Sequence, residues 1–177
     1  MGRRVIRFAV YANGSILVRM DENRSEWDDR PVRRPLFVPA GGPPRVNPPS
    51  LEIYAAMGED NIYRMVADFY HELEHSPIRF MFPANMQDAA EKTSAFFVGL
   101  LGGPPLYHQR YGPPALRARH LPYPIDEAAR QEWLACFQRT LSRAVADYNF
   151  PAQHLEGFYI FLRDFSVWMV NIAPDSP

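Results

Sequence analysis

Gly102-Gly103-Pro104-Pro105-Leu106-Tyr107, then after three residues Tyr111-Gly112-Pro113-Pro114-Ala115-Leu116-Arg117-Ala118-Arg119-His120-Leu121-Pro122-Tyr123-Pro124-Ile125, is the stretch on which the reading of this chain turns. Its glycine pair followed by proline is a strong helix stop. Six prolines between 104 and 125 leave room for only a short helix, expected from Ala115 to His120, because proline lacks a donor and restricts the residue before it. His120 closes that segment, with Arg117 and Arg119 before it and Leu121-Pro122 after it, so its imidazole is held rigidly.

The pattern on both sides of this corner is helical. Upstream, Ile62, Met65, Val66, Phe69, Tyr70 and Leu73 form one apolar stripe that ends at Ser76-Pro77, and Ser50 to Met57 leaves room for a short helix before it. A second helix is expected from Asn85 as N-cap, with Asp88 in its first turn and Ala89, Thr93, Phe96, Phe97 and Leu100 turned inward. Downstream, Asp126 is read as the cap of a helix carrying Trp133, Phe137, Leu141, Ala144, Val145 and Tyr148. Pro151 opens a last helix carrying Leu155, Phe158, Tyr159, Leu162, Phe165 and Met169. Four substantial helices thus surround one proline-rich corner, an all-α arrangement.

Residues 1–49 read differently. Arg7 to Ala12 and Ser15 to Met20 flank Asn13-Gly14, a dipeptide suited to a type I′ turn, so a β-hairpin is expected. Residues 31–49 hold seven of the 18 prolines, with Arg33, Arg34 and Arg45 among them, and read as a linker or extended arm. The expected organisation is an extension over 1–49 and one globular domain over 50–177.

With 19 basic and 20 acidic residues the net charge is -1, which gives no support to a nucleic-acid partner. Cys136 is the only cysteine, which fits a reducing, cytoplasmic compartment. Neither a signal peptide nor a membrane span is read from the apolar pattern.

Two histidine settings carry chemistry. His71-Glu72-Leu73-Glu74-His75 matches H-E-x-x-H, which puts two imidazoles one helical turn apart for zinc. No third ligand follows at a recognisable spacing, and the motif ends its helix, where solvated histidines also suit the helix dipole. His120 has what an axial haem ligand needs: fixed orientation, a neighbouring cation and an apolar wall. By spacing alone it is one histidine among five. Tyr70 and Trp133, on apolar stripes, read as core side chains in the same way.

The stretch from Gly102 to Ile125, followed by Trp133-Leu134-Ala135-Cys136-Phe137, resembles the group II truncated haemoglobins, and the resemblance covers residues 51 to about 172. It implies a truncated 2-on-2 globin-like helical sandwich that holds haem b, iron protoporphyrin IX, with His120 as the proximal ligand and metal-binding residue. It further implies that Tyr70 and Trp133 offer an O–H and an N–H to a bound gas, with Ala89 and Thr93 beside them on the distal face. Phe82 and Phe96 would pack on the porphyrin, Lys92 and Arg119 would meet its propionates, and Tyr107 falls within the same cofactor-binding stretch. Two departures stand out: Pro113 replaces a histidine common in the family, and Thr93 stands where relatives often carry glutamine or leucine. The implied function is reversible binding of oxygen or another small gas, with room for a reductase partner and a homodimer. Redox catalysis at the same iron, peroxidase-like or nitric oxide dioxygenation, stays open, as do a zinc hydrolase through residues 71–75 and a haem-free interaction domain.

Overall fold

In a computed structural model the described residues are 7–10, 16–19 and 35–173. Strands β1 (Arg7–Val10) and β2 (Ile16–Arg19) pair antiparallel with Val10 opposite Ile16. The Asn13-Gly14 turn lies outside the described residues. A two-residue turn there would set Val10 opposite Leu17, one position away from the pairing observed.

From residue 52 on, every element among the described residues is helical. Helix α1 (Glu52–Glu74) is broken at Gly58, whose φ of 72° admits no continuous helix, so the short leading helix and the long apolar one are separate pieces. Helix α2 (Gln87–Leu100) starts one residue later than an Asn85 cap would give: Met86 is the N-cap, and Asn85 Oδ1 accepts from the Gln87 N–H at 3.0 Å. At its other end Gly102 has φ 108°, and a Cβ there would lie 2.0 Å from the Leu51 carbonyl oxygen. The glycine is therefore required for α2 to end against the start of α1.

The corner holds two short helices instead of one, α3 (Leu106–Tyr111) and α4 (Leu116–His120), because Pro104 and Pro105 precede α3 where missing N–H groups cost nothing. Asp126 caps α5 (Glu127–Leu141), its Oδ1 accepting from the Ala129 N–H at 2.7 Å. The single helix read through Tyr148 is interrupted at Ser142 and Arg143, and α6 (Ala144–Tyr148) follows; Val145, expected inward, is 47 % exposed. Helix α7 (Ala152–Ser166) runs on into a 3-10 turn at Val167–Met169.

α1 packs on α2 and α5, and α5 packs on α7. Between them stands a column of rings: Phe69 stacks on Phe137 at 3.6 Å between centroids, and Phe97 meets both Phe137 and Phe158 edge-on at 5.9 and 5.7 Å. All four are buried, each contributing about 1.5–3 kcal/mol of apolar transfer free energy. The buried face of α2 is Ser94, Ala95, Phe97 and Val98. Ala89, Thr93, Phe96 and Leu100, expected inward, are only half-buried, which leaves one apolar side of α2 incompletely covered by protein.

Candidate functional site

That half-covered side is the wall of the site. Tyr70, on the last turns of α1, shares a 2.9 Å hydrogen bond with the Thr93 hydroxyl of α2. Its ring meets Phe82 edge-on at 6.2 Å and Phe69 at 5.6 Å. Trp133 of α5 packs against Phe69 at 5.7 Å and Phe137 at 4.6 Å. One turn beyond Thr93, Phe96 meets Tyr107 of α3 at 6.0 Å, and the Arg119 guanidinium lies 5.8 Å above the Tyr107 ring. Phe82, Tyr70, Thr93, Phe96, Tyr107, Arg119 and His120 thus form one run of neighbours in space or sequence, with Trp133 joined through Phe69.

Tyr70 keeps part of its surface accessible, yet burial of its hydroxyl among protein atoms pushes its pKa up to about 12. A group that is both accessible and desolvated stands on the wall of a concavity. The Tyr123 phenol adds to the rise and the Thr93 hydrogen bond opposes it. Tyr123 lies three residues past His120, so the two phenols are near enough for their charges to interact across from α1 to the His120 loop.

His120 is also partly accessible while burial lowers its pKa; the Leu116 carbonyl works against that shift and the Arg119 cation adds to it. Its Nδ1 is 2.7 Å from the Leu116 carbonyl oxygen, which can only accept, so Nδ1 carries the proton and Nε2 presents a lone pair. Among the described residues Nε2 has no hydrogen-bond partner, and neither does the Trp133 indole N–H.

Lys92 and Arg119 have no carboxylate partner among the described residues. The Lys92 ammonium lies 5.9 Å from the Tyr111 ring centre, Tyr111 sits 5.2 Å from Tyr107, and Arg119 Nε donates to the Pro114 carbonyl at 2.9 Å. Two cations therefore flank one tyrosine pair with no counter-charge among the described residues. Tyr107 itself is buried between Phe96, Tyr111 and Arg119. Ala89 is half-buried on the α2 wall, one turn before Thr93.

Three residues hold the corner: Asn171, which the sequence reading did not name, and Arg117 and Ala115, which it named without these roles. Asn171 is fully buried: its Nδ2 donates to the His120 and Tyr123 carbonyls at 3.1 and 2.9 Å, and its Oδ1 accepts from the Ile125 N–H at 3.1 Å. Arg117 donates to the carbonyls of Phe37, Val170 and Trp168, and its guanidinium lies 4.2 Å over the Trp168 ring. Ala115 begins α4 with a left-handed φ of 42°. The one sequence signal for Asn171 is a lone amide in the apolar run Trp168 to Ile172.

The H-E-x-x-H histidines lie elsewhere. His71 and His75 are exposed with rings 4.5 Å apart, and Glu72 is paired with Arg139 at 2.6 Å. Among the described residues no group of three or more His, Cys, Asp or Glu side chains could hold a metal ion. No helix among them is long and apolar enough to cross a membrane.

Comparison with known proteins places this geometry. The family described as Bacterial-like globin matches residues 52–170. The group 2 truncated hemoglobin YjbI of Bacillus subtilis (strain 168) is 40% identical over 86 residues, 48% of this chain and 65% of that one, so the match stops just short of two thirds of the relative's length. The crystal structure of phosphate-bound Hell's gate globin IV aligns with a TM-score of 0.66 and 36% identity over 73% of this chain and 80% of that one. The X-ray structure of truncated oxygen-avid haemoglobin from Bacillus subtilis aligns with a TM-score of 0.61 and 33% identity, over 67% of this chain and 98% of that one.

Proposed function

The chain belongs to the bacterial-like globin family, whose members bind small diatomic gases on haem b, and from that premise we propose that it binds oxygen or a similar gas reversibly with His120 as the axial ligand. The domain that does so is residues 50–177, and residues 1–49 are an extension to it. The observation that carries the reading is the His120 ring, with one nitrogen satisfied by Leu116 and the other unpartnered in a desolvated wall.

The residues present fit the cofactor. A half-covered apolar wall from α1, α2 and α5 suits a flat macrocycle, and two cations without carboxylate partners suit its two propionates. Haem, held through His120, would supply an iron able to bind a small gas. His120 stays neutral near pH 7 because burial disfavours its charge, and the Leu116 carbonyl fixes both its tautomer and its ring orientation. Tyr70 keeps its proton throughout the physiological range and offers it as a hydrogen-bond donor, oriented by Thr93. Trp133 offers an N–H that no acceptor among the described residues claims. Ala89 is too small to donate or to block, so ligand selectivity falls to Tyr70 and Trp133. Phe82 and Phe96 exclude water from the wall, and Lys92 and Arg119 orient the cofactor from its polar edge.

The test is the visible absorption of the purified protein, oxidised, reduced and reduced under carbon monoxide, together with its iron content. One iron per chain and a Soret band that moves with each state are expected. No Soret band after haem addition overturns the reading.

A further inference from the structure

We propose that the arm preceding the haem domain positions His120, acting through Phe37 on Arg117 and Asn171; this builds on the reading of His120 as the axial ligand. Helix α4, which ends in His120, has five residues and starts at Ala115 in a left-handed conformation, so it cannot hold its own orientation. External anchors do so. Asn171 bonds the backbone of His120, Tyr123 and Ile125, and its N–H donates to the Ile125 carbonyl at 2.9 Å. Arg117, one turn before His120, is bonded to Val170 and stacked over Trp168.

Phe37 joins these two anchors. Its backbone N–H donates to the Asn171 carbonyl at 3.1 Å, and its carbonyl accepts from Arg117 Nη2 at 2.8 Å. The arm residue thus closes a loop that runs from α4 through Arg117 to Phe37, on to Asn171 and back to the His120 carbonyl. Phe37 and Asn171 lie outside residues 52–170, the part that matches the family, while Arg117 and His120 lie within it. Loss of a partner that orients a metal-ligating histidine from outside its coordination shell costs roughly 10–100-fold in metal affinity or activity.

Because Phe37 acts through its backbone, the discriminating pair of variants in the full-length, haem-loaded protein is Phe37→Pro, which removes the N–H, and Phe37→Leu, which keeps it. Three quantities are read: the iron–histidine stretching band of the reduced protein, the rate of haem transfer to apomyoglobin, and hydrogen exchange of the Leu121, Tyr123 and Ile125 amides, the three that the 121–125 stretch carries. Phe37→Pro is expected to shift or broaden the band, to speed haem transfer about tenfold, the low end of what losing an outer-shell partner costs, and to speed exchange at 121–125. Phe37→Leu is expected to match the wild type in all three. Arg117→Gln, which cuts the other half of the strap, is expected to behave like Phe37→Pro and serves if the proline variant fails to fold. Wild-type band, transfer rate and exchange in Phe37→Pro and Arg117→Gln, even with a lowered melting temperature, overturn the proposal. An iron–histidine band that survives His120→Gly instead removes the ligand assignment, and exchange at 121–125 still decides whether the arm positions the loop.

Discussion

Around His120 the chain is held by hydrogen bonds to backbone atoms, and around Tyr70 it is held by rings. The His120 side has short helices, a left-handed alanine, and a buried amide and a half-buried guanidinium that between them bond six backbone groups from Phe37 to Val170. The Tyr70 side has long helices, the Phe69–Phe137 stack, and the Tyr70–Thr93 hydrogen bond at the wall itself. The difference follows from what each side must do. A ligating nitrogen needs a fixed direction, which hydrogen bonds to a braced backbone supply, whereas a gas pocket needs shape and a few donors, which packed rings and two polar tips supply.

The comparison can be broken most severely at His120 itself. His120→Ala is expected to weaken haem retention by more than the roughly 10–100-fold that loss of an outer-shell partner brings, read as haem transfer to apomyoglobin; unchanged transfer removes the ligand. On the other side, Phe69→Ala should lower unfolding free energy by about 3–5 kcal/mol, measured by urea denaturation, because it empties the ring stack instead of the ligand set. A loss below about 1 kcal/mol would show the stack is not what holds that wall.

Acid separates the sides next. The folded pKa of His120 is lowered by burial, so as pH falls the unfolded chain takes up the proton first. Its contribution to stability and haem retention is full above about pH 6.5 and is lost as pH falls from there through the folded value. Haem release followed against pH should therefore rise below that point, and the rise should vanish in a His120 variant. Tyr70, with its pKa pushed up to about 12, contributes no change in that window.

The smaller effects lie among the donors. Trp133→Phe removes an N–H worth about 1 kcal/mol, so oxygen release by stopped flow should quicken roughly fivefold; an unaltered rate takes Trp133 out of the pocket. Thr93→Val should quicken release by less, since Tyr70 keeps its proton and loses only the partner that orients it. Slower release would mean that Tyr70 spends its proton on Thr93.

The helices and the stops around them were legible because they are local: the 3.6-residue stripe of α1, the cap at Asp126 and the glycine pair at 102–103 each act within a few residues. The break between α5 and α6 was not, since no proline or glycine inside the pattern marks it, and α3 was missed because Pro104 and Pro105 read as excluding a helix although they stand before its first turn, where proline is tolerated. Within the candidate site, Tyr70, Thr93 and His120 were named through the resemblance to the group II truncated haemoglobins; by spacing alone Tyr70 read as core and His120 as one histidine among five. The bracing roles of Phe37, Arg117 and Asn171 were not legible, because their bonds end on backbone atoms 46 or more residues away, which no spacing rule reports. The half-covered face of α2 was read as core because a haem wall and a core face share one periodicity; only the incomplete burial of Ala89, Thr93 and Phe96 tells them apart.

The most direct measurement is low-frequency resonance Raman of the reduced protein, wild type against His120→Gly, with and without added imidazole. The account predicts an iron–histidine band in the wild type, its loss in the variant and its return with imidazole. A band that persists in His120→Gly without imidazole would contradict it.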